Sequence, residues 1–154
     1  MPGSRPFEIL LIEDNPADIA LTREVLTESR VWHRLSVCMT GREALDGLRG
    51  DSLRGDGGAT ARLPHPDIIL LDLNLPQMDG REFLAQLRAD PMLQTIPVVV
   101  LTTSGAHEDV LKSYQLHCNA FVQKPMNFDQ FVDVIHAIED LWLNLVELPP
   151  GPER

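Results

Sequence analysis

Short apolar runs and segments of helical periodicity alternate along this chain. Five runs are rich in β-branched and aliphatic residues: Phe7–Ile12, Leu35–Met39, Asp67–Leu71, Ile96–Thr102 and Ala120–Gln123. Three of them are almost unbroken hydrophobic stretches, the pattern of strands covered by helices on both faces. Helix-start signals stand between them. Asn15 and Pro16 offer a capping side chain followed by a residue whose fixed φ suits the first helical position. Thr40-x-x-Glu43, Asp79-x-x-Glu82 and Asn127-x-x-Gln130 have the form of capping boxes, in which side chains satisfy the backbone N–H groups that a helix start leaves without partners. Apolar residues then follow at helical spacing: Leu21, Val25 and Leu26; Phe83, Leu84 and Leu87; Phe128, Phe131, Val132 and Ile135. Strand–helix alternation repeated five times predicts an α/β fold, a doubly wound (βα)5 unit with a mainly parallel sheet and right-handed crossovers.

Two segments depart from this rhythm. Gly50–Pro66 carries four glycines and two prolines and is longer than most connections in compact domains. It reads as a surface insertion between the second helix and the third strand, with a partner-binding loop as the second reading. The last predicted helix has the opposite character. Phe128, Phe131, Ile135, Ile138, Trp142 and Leu145 recur at spacings of 3-4-3-4-3, a heptad seam. Leu141, Leu143 and Val146 make a second face apolar. A single sheet covers one stripe of a helix, and an exposed apolar remainder of that size is uncommon on monomers. The excess predicts a homodimer through the fourth and fifth helices and the fifth strand, with Phe131, Ile138, Leu141, Trp142, Leu145 and Val146 at the interface. A helix folded back over its own domain is the alternative.

Composition narrows the class. The 154 residues suffice for one ordinary domain, 44% of them hydrophobic and 23% charged. One domain is expected over residues 7–148, with tails at 1–6 and 149–154. Thirteen basic residues against 23 acidic give a net charge of −10, which repels a phosphate backbone and argues against nucleic-acid binding. No apolar run reaches the roughly 18 residues of a membrane span. Acids directly after the first apolar run are unlike a signal peptide. Two cysteines, Cys38 and Cys118, make no disulfide framework. These features predict a cytoplasmic protein without a membrane partner.

The candidate chemistry lies at the strand ends. In a doubly wound sheet, ligands bind beyond the carboxyl ends of the strands. There the first strand runs into Glu13 and Asp14, the third into Asp72, the fourth into Thr102, Thr103 and Ser104, and the fifth into Lys124 and Pro125. Converging carboxylates repel one another unless a cation neutralises them. An all-oxygen donor set without clustered His or Cys selects a hard ion, Mg²⁺ first. A lysine and a hydroxyl beside the ion suit a tetrahedral oxyanion, so the constellation predicts phosphoryl transfer, with a carboxylate as a possible nucleophile.

The motifs ILLIEDNP, IILLDLNLPQMDG, VVVLTTS and FVQKP, in this order, resemble the receiver domain of two-component response regulators from about Phe7 to about Leu141. The resemblance implies a flavodoxin-like sheet with strand order 2-1-3-4-5, which puts Cys38 and Cys118 at opposite edges and beyond disulfide reach. It implies that Asp72 accepts a phosphoryl group from a sensor histidine kinase. Asp14 and Asp72 would ligate Mg²⁺ directly, with the Asn74 carbonyl as a third ligand. Glu13 stands where many receivers have Asp and would reach the ion through water. Lys124 would hold a phosphate oxygen, with a cis bond to Pro125. Thr102 and Phe121 match the hydroxyl and aromatic switch positions. Phosphorylation adds about −1.5 to −2 charge and three acceptor oxygens, and a Thr102 hydroxyl drawn to one of them would open space for Phe121 to rotate. Phe121 lacks the hydroxyl of the Tyr common at that position, and His117 stands where a helix-ending Gly is common.

A narrower likeness is carried by ILLIEDNPADIALTREVL, LDLNLPQMDGREFL and the ending WLNLVELPP. It resembles stand-alone response regulators that partner bacterial phytochrome histidine kinases. Such a chain would catalyse only its own phosphorylation and dephosphorylation and signal through protein contacts; a phosphate sink or an intermediate in a multi-step phosphorelay is the alternative. Two other classes compete less well. A flavin or nucleotide enzyme on this fold needs a glycine-rich phosphate loop, and EDNPAD after the first strand has no glycine. A pseudo-receiver scaffold would lack Asp72, Asp14 or Lys124, and all three are present.

Overall fold

The computed structural model describes residues 5–28, 32–50, 62–73, 75, 78, 80–102 and 120–123, with 129, 132–133, 135–137 and 140 from the C-terminal helical stretch. Five strands, β1 (Phe7–Ile12), β2 (His33–Cys38), β3 (Ile68–Leu71), β4 (Val98–Thr102) and β5 (Ala120–Gln123), form one sheet in the order β2-β1-β3-β4-β5. All four pairings are parallel. The chain winds from β1 outward to β2, then returns to lay β3 on the other side of β1. That reversal leaves a crevice at the carboxyl ends of β1 and β3, where this fold class binds ligands.

Alternation along each strand divides the core into two layers. Leu10, Ile12, Ile69, Leu71, Val98 and Val100 face α2 (Gly41–Arg49) and α3 (Gly80–Ala89), meeting Ala44, Leu45, Phe83, Leu84 and Leu87. Ile9, Leu11, Ile68, Leu70, Val99 and Leu101 point the other way, onto Val25 and Leu26 of α1 (Pro16–Leu26) and onto Ile135. Burial on both faces is why these strands read as continuous apolar runs.

Helix starts follow from the capping chemistry. Asn15 Oδ1 accepts from the N–H groups of Ala17 (2.9 Å) and Asp18 (3.3 Å), with Pro16 opening α1. Thr40 Oγ1 accepts from Glu43 N–H at 3.0 Å, while the Glu43 carboxylate reaches one residue further back than a capping box usually does, to Met39 N–H at 3.0 Å. Asp79, Asn127 and Gln130, and the seam residues Phe128, Phe131, Ile138, Trp142 and Leu145, lie outside the described residues.

Three strands differ in their bounds from the sequence pattern: β2 at both ends, stopping at Cys38 rather than Met39, and β3 and β4 at their starts. β2 begins two residues before Leu35, because His33 and Arg34 pair with Phe7 and Glu8 in the ladder. Arg34 Nε donates to the buried Glu8 carboxylate at 3.0 Å, so charge complementarity extends a strand that hydrophobicity alone does not mark. β3 begins at Ile68; the Asp67 carboxylate instead accepts from Glu8 N–H (2.8 Å) and pairs with both terminal nitrogens of Arg5 (2.8 and 2.9 Å). β4 begins after Pro97, which has no N–H to give the ladder, although its carbonyl accepts from Ile69 at 2.9 Å.

The glycine-rich insertion starts from a left-handed helix cap. Gly50 has φ 73° and ends α2, and Leu63 N–H returns to the Gly47 carbonyl at 3.1 Å. A Cβ at Gly50 would lie 2.7 Å from Arg62 Nη2. Gly50→Ala is therefore expected to destabilise the fold by about 1–2 kcal/mol, read as a lower urea midpoint with an unchanged slope. Gly50→Asn should lose less, since Asn tolerates the left-handed region.

Candidate functional site

The sheet ladder continues one residue past the strand ends and so fixes the acidic residues. Glu13 N–H donates to the Cys38 carbonyl (3.0 Å), and Asp72 N–H donates to the Ile12 carbonyl (3.1 Å). Side chains on either side of Asp72, Leu71 and Leu73, are fully buried in the α2–α3 layer, so the Asp72 backbone has little freedom. Asn15 adds a second tie by donating its N–H to Glu13 Oε2 at 3.2 Å. The turn that starts α1 therefore also orients the Glu13 carboxylate.

The result is a three-carboxylate cluster. One oxygen each from Glu13, Asp14 and Asp72 lies within 4.8 Å of the other two. Glu13 is 2% exposed and Asp72 9% exposed, with Asp14 more open to solvent. Like charges at that separation repel by on the order of a few kcal/mol per pair at an effective dielectric constant of about 20. A divalent cation removes that repulsion, and the donors are oxygen only, so the residues fit Mg²⁺ or Mn²⁺. Cys38 is not a competing soft ligand. Burial pushes its thiol up to about 12, with the Glu43 charge adding to the effect, so it stays protonated and inert at neutral pH.

Thr102 ends β4 in register with Gln123, two residues past the Val100 that pairs with Leu71, which brings its backbone to the same edge of the sheet as Asp72. Phe121 sits on the edge strand β5, opposite Val100. Asn74, Lys124 and Pro125 lie outside the described residues, as do Phe131, Ile138, Leu141, Trp142, Leu145 and Val146. Sequence reasoning did not identify Asn15 as a support for Glu13, nor the close approach of Gly80 to the Asp72 peptide. The first was signalled by the adjacent cap residue and the second by a glycine at the start of a predicted helix, where the local pattern does not call for one. Among the described residues, no helix is long and apolar enough to cross a membrane.

Comparison with known proteins agrees with this geometry. Residues 9–136 match the response regulator receiver domain. The chain is 43% identical over 144 residues to the response regulator Rcp1 of Synechocystis sp., covering 94% of each chain. Its backbone superposes with a TM-score of 0.79 on the phosphorylated cyanobacterial phytochrome response regulator RcpA, at 44% identity, covering 90% of this chain and 95% of that one. The Mn²⁺-bound form of Rcp1 gives the same TM-score at 43% identity, covering 94% of this chain and 99% of the other.

Proposed function

The chain belongs to the response regulator receiver domain family, and from that membership we propose that it is a phosphorylation-switched signalling protein whose acceptor is Asp72. The observation that carries this reading is a nearly buried carboxylate, 9% exposed, held at the end of a central strand within 4.8 Å of two others. An Asp72 carboxylate oxygen attacks the phosphorus of a kinase phosphohistidine. The new O–P bond replaces the P–N bond, whose electron pair leaves with the imidazole. Receiver domains bind Mg²⁺ or Mn²⁺ at an acidic pocket, and here Glu13, Asp14, Asp72 and the Asn74 carbonyl would hold the ion. When bound, it supplies charge neutralisation for the transferred group. Lys124 pairs with a phosphoryl oxygen and Thr102 donates its hydroxyl to another, and Phe121 fills the space that Thr102 vacates. The chain acts on no substrate but itself.

The partner that this reading names is a sensor histidine kinase of the bacterial phytochrome class, in the cytoplasm. RcpA, 44% identical, is itself a phytochrome response regulator. Output runs through protein contacts, consistent with a net charge of −10. Residues 7–148 act as one receiver unit that pairs with a second copy along the C-terminal seam. Phosphotransfer profiling tests the function. An autophosphorylated bacteriophytochrome kinase is expected to pass one acid-stable, base-labile phosphoryl group to this chain in Mg²⁺. No transfer from any histidine kinase, together with no labelling by a small phosphodonor, would overturn the reading. For the dimer, the chain truncated after Asp140 should sediment as a monomer; sedimentation like the full chain would remove the seam as the interface.

A further inference from the structure

Two helices flank the loop that follows Asp72, and both begin with glycine. The chain reads Thr40-Gly41-Arg42-Glu43 at the start of α2 and Asp79-Gly80-Arg81-Glu82 at the start of α3. Helix interiors disfavour glycine, and an ordinary first helical position has no need of it. Neither glycine has a left-handed φ. The reason for them is therefore steric, and it lies in what they touch.

A Cβ at Gly80 would stand 2.6 Å from Leu73 Cα and 2.7 Å from the carbonyl oxygen of Asp72. Both are backbone atoms, so no rotamer change relieves the collision. Reaching 3.4 Å, where ordinary van der Waals contact begins, requires a retreat of about 0.8 Å from Leu73. Each side resists. Asp72 N–H is tied to Ile12, Gly80 N–H donates to the Leu73 carbonyl at 2.9 Å, and Phe83, Leu84 and Leu87 anchor α3 in the core. At the other end of the loop, Gly41 presses on buried Met78, where a Cβ would meet Sδ at 3.0 Å and Cγ at 3.3 Å. Met78 is buried, and its own backbone carbonyl oxygen stands 3.4 Å from the same point, so the side chain has little room to move aside.

We propose that Gly80 is a positioning residue for the Asp72 carboxylate, and that Gly41 supports the same loop through Met78. The inference rests on the reading of Asp72 as cation ligand and phosphoryl acceptor. Mg²⁺ requires oxygens near 2.0–2.1 Å in almost ideal octahedral order, so a shift of about 0.8 Å in the peptide carrying one ligand is large on that scale. Misplacement of about 1 Å in a reacting group can cost about 100-fold in rate.

The test is Mg²⁺ titration by calorimetry and phosphorylation by acetyl phosphate, on the full chain, for wild type, Gly80→Ala, Gly41→Ala and Gly41→Ala/Met78→Ala. Folding is checked for each by near-UV circular dichroism. Folded Gly80→Ala is expected to bind Mg²⁺ about 10-fold more weakly. At saturating Mg²⁺ its kcat should fall about 10- to 100-fold, with little change in KM for the phosphodonor. A glycine that only stabilises the fold would leave the affinity and kcat of the folded protein unchanged, and that result overturns the proposal. Should Gly80→Ala not fold, Gly41→Ala decides. About 3-fold weaker Mg²⁺ binding, restored in the double variant, supports the proposal, whereas wild-type affinity rejects it. A wild-type chain that binds no Mg²⁺, or is labelled elsewhere than Asp72, would instead refute the reading of the site.

Discussion

An Asp72→Asn chain is expected to take up no phosphoryl group from a kinase or a small phosphodonor, while folding at least as stably as the wild type in cation-free buffer. The two outcomes have one cause. The amide keeps the size and shape of the carboxylate but carries no charge and is too weak a nucleophile to form the O–P bond. The same change removes one of three carboxylates clustered within 4.8 Å, and with it two repulsive pairs. Solvent at the half-buried Asp14 and adjustment of the side chains leave about 1 kcal/mol of that repulsion to be relieved, which should raise the cation-free Tm by roughly 2–4 °C in a chain of this size. Millimolar Mg²⁺ should then stabilise the wild type more than the variant, because a ligand stabilises in proportion to its affinity for the folded state. Calorimetric melts with and without Mg²⁺, beside gel autoradiography, check all three expectations. Labelling that survives the substitution would remove Asp72 as the acceptor.

The second large effect concerns the scaffold. Phe83→Ala should cost about 3–5 kcal/mol, against a total stability of about 5–15 kcal/mol for a typical domain. Phe83 is fully buried on α3 and belongs to the layer containing Leu45, Leu71, Leu84 and Leu87. Its ring fills the space between the helices and the sheet, and close-packed interiors collapse only partly around a removed side chain. Met92→Ala provides the contrast. That side chain is 78% exposed, so its removal should change stability by no more than about 0.5 kcal/mol. Urea midpoints for both variants measure the difference. A Phe83→Ala loss below about 1 kcal/mol would mean that α3 packs less tightly than its burial indicates. Because α3 starts at Gly80, beside the Asp72 peptide, the core layer and the site share one anchor.

Much of the fold is written in local pattern. Residues 7–12 and 120–123 form strands with the limits that hydrophobicity sets, and Asn15 and Thr40 cap the helices that their neighbours begin. The boundary at β2 was not legible, since His33 and Arg34 are polar and join the ladder only through Phe7 and Glu8, residues 26 positions away. The same distinction holds at the site. Acidic residues directly after apolar runs are visible in the sequence, because strand ends are where buried pattern gives way to polar residues. Their mutual distance is not, since Glu13 and Asp72 are brought together by the β1–β3 register and by hydrogen bonds from each residue to a neighbouring strand.

By itself the sequence determined the (βα)5 alternation, both apolar layers and the acidic character of the strand ends, because burial and capping impose short-range periods that any chain must satisfy. Tertiary structure alone decided that Asn15 donates to the Glu13 carboxylate, that Arg5 and Arg34 neutralise Asp67 and Glu8, and that Gly80 lies against the peptide of Asp72. The ion pairs depend on atoms from segments distant in sequence, and all three on the three-dimensional course of the backbone. That course is set by strand register and helix packing over the whole domain rather than by any one stretch of residues.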